Sequence, residues 1–383
     1  MAAVLPMMGV VLLIPIVPRL ASEFAGTLGV RYLIPLMLTL PALFMALMSP
    51  LVGAASDRFG RKPLLVGALA LYTGFGTLPI FLHNLVPIVI ARGFLGVTEA
   101  AIMTIATALL GDYFEGERLH RWIAMQIGVV SLSAIVITGL GGMLAEILGT
   151  RGPFLAYLLA VPLAAACAYI LFEPVAYRRS KNKAARLPVL QFAGLLALTF
   201  GAGLIFYTLF LQLGPVIVAV GVTSPGMIGL AAALANIGNA AGAVAFRMTE
   251  RRYSRFILGS GCALAALGYL GATLAKSFSG VTAAAIVASL GAGMLLPALL
   301  SRMLDRLSLD QRGRGTGLWN GAFFIAQFLS PLIAASLSAL TGSLTLVLEL
   351  FAGLAAIAAA IAFIGTLRHG GGGHAPNAPP AHS

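Results

Sequence analysis

Arg92 and Glu99 stand seven positions apart in a stretch, 86–110, that is otherwise almost wholly apolar. On a helix that spacing amounts to about 700° of rotation and roughly 10.5 Å of rise, so both side chains leave nearly one face, shared with Gly96 and Met103. Ionisable groups in an apolar medium are costly unless paired or hydrated, and they mark substrate or proton paths. A carboxyl held ionised beside a guanidinium, then moved away from it and desolvated, takes up a proton. The pair therefore reads as a proton-handling site, and the alternative reading is a buried clamp tying its helix to a neighbour.

A second concentration of chemistry is the run Gly53-Ala54-Ala55-Ser56-Asp57-Arg58-Phe59-Gly60-Arg61-Lys62-Pro63, lying between two long apolar stretches. Read as a tight turn, it puts Gly53 where two helix ends approach closely. Asp57 can then accept hydrogen bonds from a neighbouring helix N-terminus, and Arg58, Arg61 and Lys62 can pair with acids across one membrane face. Other polar residues are scattered in apolar surroundings: Tyr207 and Gln212, Asn236 and Asn239, then Trp319, Asn320 and Gln327. Such residues serve as glue between helices or line a cavity, and with Gly96 and Met103 they are the candidates for lining one. Glu349 reads equally as a structural partner or a functional acid.

The elements that must position these residues follow from composition. The chain has 383 residues, 60% hydrophobic and only 9% charged, with a mean hydropathy of +0.99, far from the roughly 25% charged content of soluble domains. Twelve apolar stretches long enough to cross a bilayer as helices lie near 2–18, 32–52, 63–83, 86–110, 122–145, 153–172, 190–213, 224–246, 256–275, 280–301, 315–339 and 343–366. A transmembrane barrel would instead show shorter, alternating segments. The first stretch lacks a basic leader and runs through Pro15 and Pro18 with no small-residue cleavage site, so it reads as a retained helix.

The net charge of +12 is topology and not affinity for nucleic acid. Bases crowd alternate loops, including Arg58, Arg61, Lys62, Arg118, Arg121, Arg178, Arg179, Lys181, Arg251, Arg252, Arg306, Arg312 and Arg368, while the intervening loops carry only Arg19, Arg31, Arg151 and Lys276. That asymmetry places both termini in the cytoplasm. Cys167 and Cys262 fall within spans without metal-ligand spacing, and the histidines lie in loops or the tail, so neither metal nor cofactor is expected.

The basic segment after Glu173 divides the spans into six and six. Asp112 through Arg118 returns as Asp305 through Arg312 at an offset of 193 residues, the kind of weak repeat a duplicated carrier leaves. The expected organisation is an N-terminal bundle, 1–172, a cytoplasmic loop, 173–189, a C-terminal bundle, 190–367, and a disordered Gly- and Pro-containing tail, 368–383. The fold class is all-α and integral to the membrane: twelve transmembrane helices in two pseudo-symmetric six-helix bundles.

The pattern Gly-x3-Asp-Arg-x-Gly-Arg-Lys from Gly53 to Lys62 resembles the signature between helices 2 and 3 of the major facilitator superfamily, and the likeness covers about residues 4 to 366. Gly9, Pro15 and Pro18 look like the drug-transporter pattern of helix 1, Arg92 with Gly96 like the Arg-x3-Gly motif of helix 4, and Asp112 to Arg118 like the loop that follows. The resemblance implies a gate-stabilising latch at Gly53, Asp57, Arg58, Gly60, Arg61 and Lys62, proton coupling at Arg92, and a cytoplasmic charge network of Asp112, Arg118, Asp305 and Arg312. Two departures stand out. Ile137 and Thr138 replace the Gly-Pro pair that precedes Gly141-Gly142 in the drug/proton antiporter group, and Arg92 to Ala100 is similar to helix 4 of spinster-type and organic-anion members.

The expectation is a monomeric, proton-coupled secondary transporter of the cytoplasmic membrane. It would move a small, partly apolar organic molecule by alternating access, with efflux favoured over a symporter or a lysolipid or organic-anion carrier. A membrane-embedded enzyme is disfavoured: the chain has no His-x-x-Glu-His and no Gly-x-Ser-x-Gly, and no Gly-x4-Gly-Lys-Ser/Thr loop supports a nucleotide-driven pump.

Overall fold

A computed structural model describes residues 2–114, 116–173, 189–253, 256–307 and 309–369. Regular structure among the described residues is entirely helical, as it must be where no water is present to satisfy backbone N–H and C=O groups. Among the described residues twelve helices are long and apolar enough to span a membrane. In chain order they are α1 Ala2–Glu23, α2 Val30–Phe59, α3 Arg61–Ile80, α4 Leu85–Tyr113, α5 Gly116–Leu148, α6 Gly152–Ile170, α7 Val189–Ala219, α8 Pro225–Tyr253, α9 Ile257–Leu274, α10 Phe278–Leu304, α11 Leu309–Thr341 and α12 Leu344–His369.

The expected loop between the second and third spans is corrected. Gly53 to Phe59 are not a turn but the last turns of α2, because Ala54, Ala55 and Arg58 are good helix formers and the helix continues past the apolar stretch. The chain reverses at Gly60 alone, whose φ of +94° and ψ of 148° suit only glycine. The same extension beyond the expected limits occurs in α5, α11 and α12, the last of which carries Arg368 into the helix. The basic run Arg178, Arg179 and Lys181 and the tail from Gly370 lie outside the described residues, as do the side chains of Asp57 and Arg312.

The two halves repeat one packing scheme. In the first, α4 packs on α2 and α3, and α3 packs on α6; in the second, α10 packs on α8 and α9, and α9 packs on α12. Two seams exchanged by the same pseudo-twofold relation join the halves, α2 against α11 and α5 against α8, and α1 also packs on α7 and α8. The most enclosed helices are α1, α4 and α10, with 78%, 67% and 61% of their most apolar stretch buried. For α3, α6, α9 and α12 the figure is 28–39%, and it is as low, 28–33%, for α2, α5 and α11, which carry the contacts between the halves.

Close packing relies on small residues. A methyl at Gly96 would lie 2.7 Å from Pro41 O, and one at Gly268 would lie 2.5 Å from Ala288 Cβ. The face carrying Gly60, Tyr113 and Glu173 is called the motif face below, and the opposite one, with residues 24–29, 149–151 and 220–224, the Glu146 face.

Candidate functional site

Helix irregularities in α1 and α2 create the acceptors around Arg92. Pro41 has no N–H, so the carbonyl of Met37 one turn earlier lacks its intrahelical donor. In α1 the ladder shifts at Leu13, whose N–H donates to Val10 O where a regular helix would use Gly9 O, just before the Ile14–Ile16 3₁₀ turn around Pro15. Arg92, fully buried on α4, fills both vacancies. Its Nε donates to Met37 O at 2.9 Å, its Nη2 donates to Gly9 O, and its Nη1 donates to the Tyr157 hydroxyl of α6 at 2.6 Å. Tyr72 of α3 packs on Tyr157 with ring centroids 5.2 Å apart and the ring planes tilted by 60°, and it donates its hydroxyl to Leu5 O at 2.6 Å. One guanidinium thereby gathers α1, α2, α4 and α6, with α3 attached through Tyr72.

Glu99 sits one side chain away in the same interior, 1% exposed. No hydrogen bond reaches its Oε1, and no ion pair joins it to Arg92. The sequence expectation that the two face each other as a pair is therefore met in placement but not in contact, because the guanidinium donors are committed to carbonyls and a phenol. The carboxyl rests on Gly9, where a methyl would lie 2.9 Å from Glu99 Cδ. A methyl at position 9 would fit only if the end of the Glu99 side chain moved.

At the motif face the first amides of α3 are capped by a residue the sequence reading passed over, while the side chain of Asp57 lies outside what is described. Glu173, just after α6, accepts the first backbone N–H groups of α3, from Arg61 at 2.6 Å and Lys62 at 2.8 Å. Its negative charge also complements the positive end of that helix dipole. Arg61 in turn pairs with Asp112 at the end of α4, Nη1 to Oδ2 at 2.7 Å. Beside them the Tyr113 hydroxyl donates to Phe172 O at 2.6 Å.

Of the remaining motif residues, Arg58 is exposed over the Phe59 ring. Gly53 is not a close-approach glycine, since a methyl there would meet Thr104 Cγ2 at an ordinary 3.8 Å. Arg118 and Asp305 are exposed, with Asp305 ending α10.

The cavity candidates separate into several places. Gly96 is buried against α2 and lines nothing. Met103 is exposed on α4. Tyr207, Phe323 and Trp319 form an aromatic cluster between α7 and α11, with ring centroids 5.1 Å apart for Tyr207–Phe323 and 5.6 Å for Trp319–Phe323.

Two buried polar atoms, Trp319 Nε1 and Asn239 Oδ1, have no hydrogen-bond partner. Asn236 donates across the α5–α8 seam to Thr138 Oγ1 at 3.2 Å. Gln327 is buried on α11 and Asn320 half-buried. Gln212 lines a cavity of about 230 Å³ near the Glu146 face, with Arg31, Pro35 and Ser338. Glu349 is exposed near the start of α12.

Tyr72, Tyr157, Glu146 and Glu173 were missed by sequence reasoning. The tyrosines gave no signal beyond lying in apolar spans. The two acids gave only the signal of being carboxylates at the ends of apolar spans, with nothing to name the helix start each one meets.

Fold and site together define a membrane transporter. Residues 1–223 match the family model of the Major Facilitator Superfamily, and the chain belongs to that family. It is 30% identical over 355 residues to the tetracycline resistance protein, class C, of Escherichia coli, covering 88% of this chain and 87% of that one. Multidrug resistance protein 1 of Bacillus subtilis (strain 168) is 29% identical over 149 residues, 38% of this chain and 36% of the relative. Among solved structures, a bacterial homologue of the human lysosomal transporter Spinster, in an inward-facing and occupied conformation, superposes with a TM-score of 0.79 at 15% identity, covering 96% of this chain and 95% of that one.

Proposed function

We propose that this transporter exports small, partly apolar organic molecules, tetracycline-like compounds among them, across the cytoplasmic membrane in exchange for protons. In this reading it works as a monomer with both termini in the cytoplasm. The observation that carries the proposal is the similarity to a tetracycline resistance protein along nearly the whole of both chains.

The site geometry supports the same reading. The halves meet through α5–α8 and α1–α7 toward the Glu146 face, where Gly142 abuts Gly229 and Gly214 abuts Pro18. The basic motif face is then the cytoplasmic one by the positive-inside rule. A substrate entering there would meet the aromatic surfaces of Tyr207, Phe323 and Trp319, and the unpaired Trp319 Nε1 and Asn239 Oδ1 can each bond a polar group of an otherwise apolar guest.

Glu99 is the proposed proton carrier. Its carboxyl is enclosed and its Oε1 has no hydrogen-bond partner, so a negative charge there is poorly compensated by direct contact, and proton binding removes that cost. Arg92 holds α1, α2 and α6 around it. A shift of α1 against α4 within the first bundle, which would remake the Arg92–Gly9 bond, changes what Glu99 touches and so links its protonation to access.

The test uses everted vesicles with a respiration-driven, acid-inside gradient. Adding tetracycline outside is expected to release lumenal protons in wild type and not in Glu99→Gln, which still binds the compound. Substrate-evoked proton movement in the opposite sense would replace antiport by symport. Uphill transport retained in full by Glu99→Gln would remove Glu99 as the carrier.

A further inference from the structure

The α5–α8 seam is built as a three-step zipper. On α5, Thr138, Gly142 and Glu146 recur every four residues and so share one face. Each meets its own partner on α8. Thr138 Oγ1 accepts Asn236 Nδ2 at 3.2 Å while donating to Ala134 O at 2.6 Å. Gly142 brings the two backbones together, since a methyl there would lie 2.6 Å from Pro225 O and 2.9 Å from Gly229 Cα.

Glu146 Oε2 accepts from Ser224 Oγ at 2.9 Å and from the Gly226 N–H at 3.2 Å, so a carboxylate of the first bundle caps the N-terminus of a helix of the second. Ser224 itself caps that helix by accepting the Met227 N–H at 3.2 Å. Arg19 of α1 braces the acid, with Nη1 on Ala145 O at 3.2 Å and Nη2 3.8 Å from Glu146 Oε2.

The zipper ends abruptly. Ser131, two turns before Thr138 on the same face of α5, is exposed, and Ala243, two turns past Asn236 on α8, is exposed as well. The two helices are thus joined from Thr138 to Glu146 and parted toward the motif face. Thr138 stands where the sequence departs from the Gly-Pro pair, so that substitution supplies the innermost bond of the zipper.

We propose that Thr138–Asn236, Gly142–Gly229 and Glu146–Ser224/Gly226 are the gate on the Glu146 face, and that Glu146 and Thr138 set how long it stays shut. The proposal rests on the alternating-access reading but not on proton coupling or on any substrate. A hydrogen bond at each end supplies attachment that a change of partner can undo, and the glycine waist lets the backbones close without side chains to interlock.

The test is cysteine labelling by a membrane-impermeant maleimide, in a background where Cys167 and Cys262 are replaced by alanine. Pro225→Cys reports the Glu146 face, where Pro225 is buried, and Ser131→Cys reports the motif face. No substrate is added. Gly142→Val is expected to speed labelling at Pro225→Cys by about tenfold and to slow it at Ser131→Cys, as a shift of a two-state equilibrium requires.

Asn236→Ala and Glu146→Gln, which add no bulk, are expected to act in the same two directions by several fold. Unchanged labelling at both reporters in Asn236→Ala and Glu146→Gln would overturn the gate. So would faster labelling at Pro225→Cys without the opposite change at Ser131→Cys, because that pattern is local fraying. Labelling as expected in a protein that extrudes no drug would keep the gate and discard only the export reading.

Discussion

Pro41 and Arg92 are two parts of one hydrogen-bonding arrangement. The proline deprives Met37 O of its helical donor, and the Arg92 Nε, arriving from α4, donates to that oxygen at 2.9 Å. The close passage that permits this is made by Gly96, which lies against Pro41 with no side chain between the helices. A motif arginine is thus held by backbone irregularity and not by a counter-ion.

Removing the arginine leaves Met37 O, Gly9 O and the Tyr157 hydroxyl without a donor in the bundle interior. Arg92→Ala is expected to cost about 3 kcal/mol or more, read as a lower melting temperature of the detergent-purified protein. Arg92→Lys keeps the charge but cannot span three acceptors, so it is expected to melt between wild type and Arg92→Ala. A lysine variant as stable as wild type would show that charge alone suffices.

Gly9 and Glu99 occupy overlapping space. Gly9→Ala is expected to destabilise the protein by about 1–3 kcal/mol through overpacking, and shortening the acid in Gly9→Ala/Glu99→Asp is expected to recover about half of that. Additive effects in the double variant would place the strain elsewhere.

Glu173 caps α3 across the first bundle, and losing a cap of this kind costs about 1 kcal/mol. Glu173→Ala is expected to lower the melting temperature slightly and to speed hydrogen exchange at the Arg61 and Lys62 amides, while Glu173→Asp, with a shorter reach, falls between. Unaltered exchange at both amides in Glu173→Ala would show that water replaces the cap.

Trp319 offers a buried, unpaired indole N–H beside Phe323. Trp319→Phe preserves the stacking and is expected to leave the melting temperature nearly unchanged while weakening tetracycline binding by about tenfold, the worth of one hydrogen bond to a guest. Calorimetric titration checks it, and unchanged affinity would remove the indole from the binding surface.

Orientation is tested separately. A reporter active only in the cytoplasm is expected to be active when fused after Arg368 and inactive at Thr150, which lies on the Glu146 face beside Glu23. Activity at Thr150 would invert the assignment of the faces.

Twelve spans, the division into halves and the family were legible in the chain, because lipid allows few backbone solutions and hydropathy reports them directly. A reversal somewhere between Gly53 and Pro63 and the burial of Arg92 and Glu99 follow from local spacing and from the rarity of charge in apolar segments, whereas the reversal at Gly60 alone and the pairing of Arg61 with Asp112 do not. The limit came where one helix meets another. Nothing local to Glu173 says that its carboxylate reaches the amides of Arg61 and Lys62, and nothing local to Thr138 names Asn236 as its partner. Gly53 carried the expectation of a close approach, yet the tight contacts come from Gly96, Gly142 and Gly229, and the cap on α3 that is seen comes from Glu173. Composition and periodicity determine how each helix sits in the membrane. Which side chains touch depends on rotation and height of one helix against another, and those are decided only by the packing of whole faces in three dimensions.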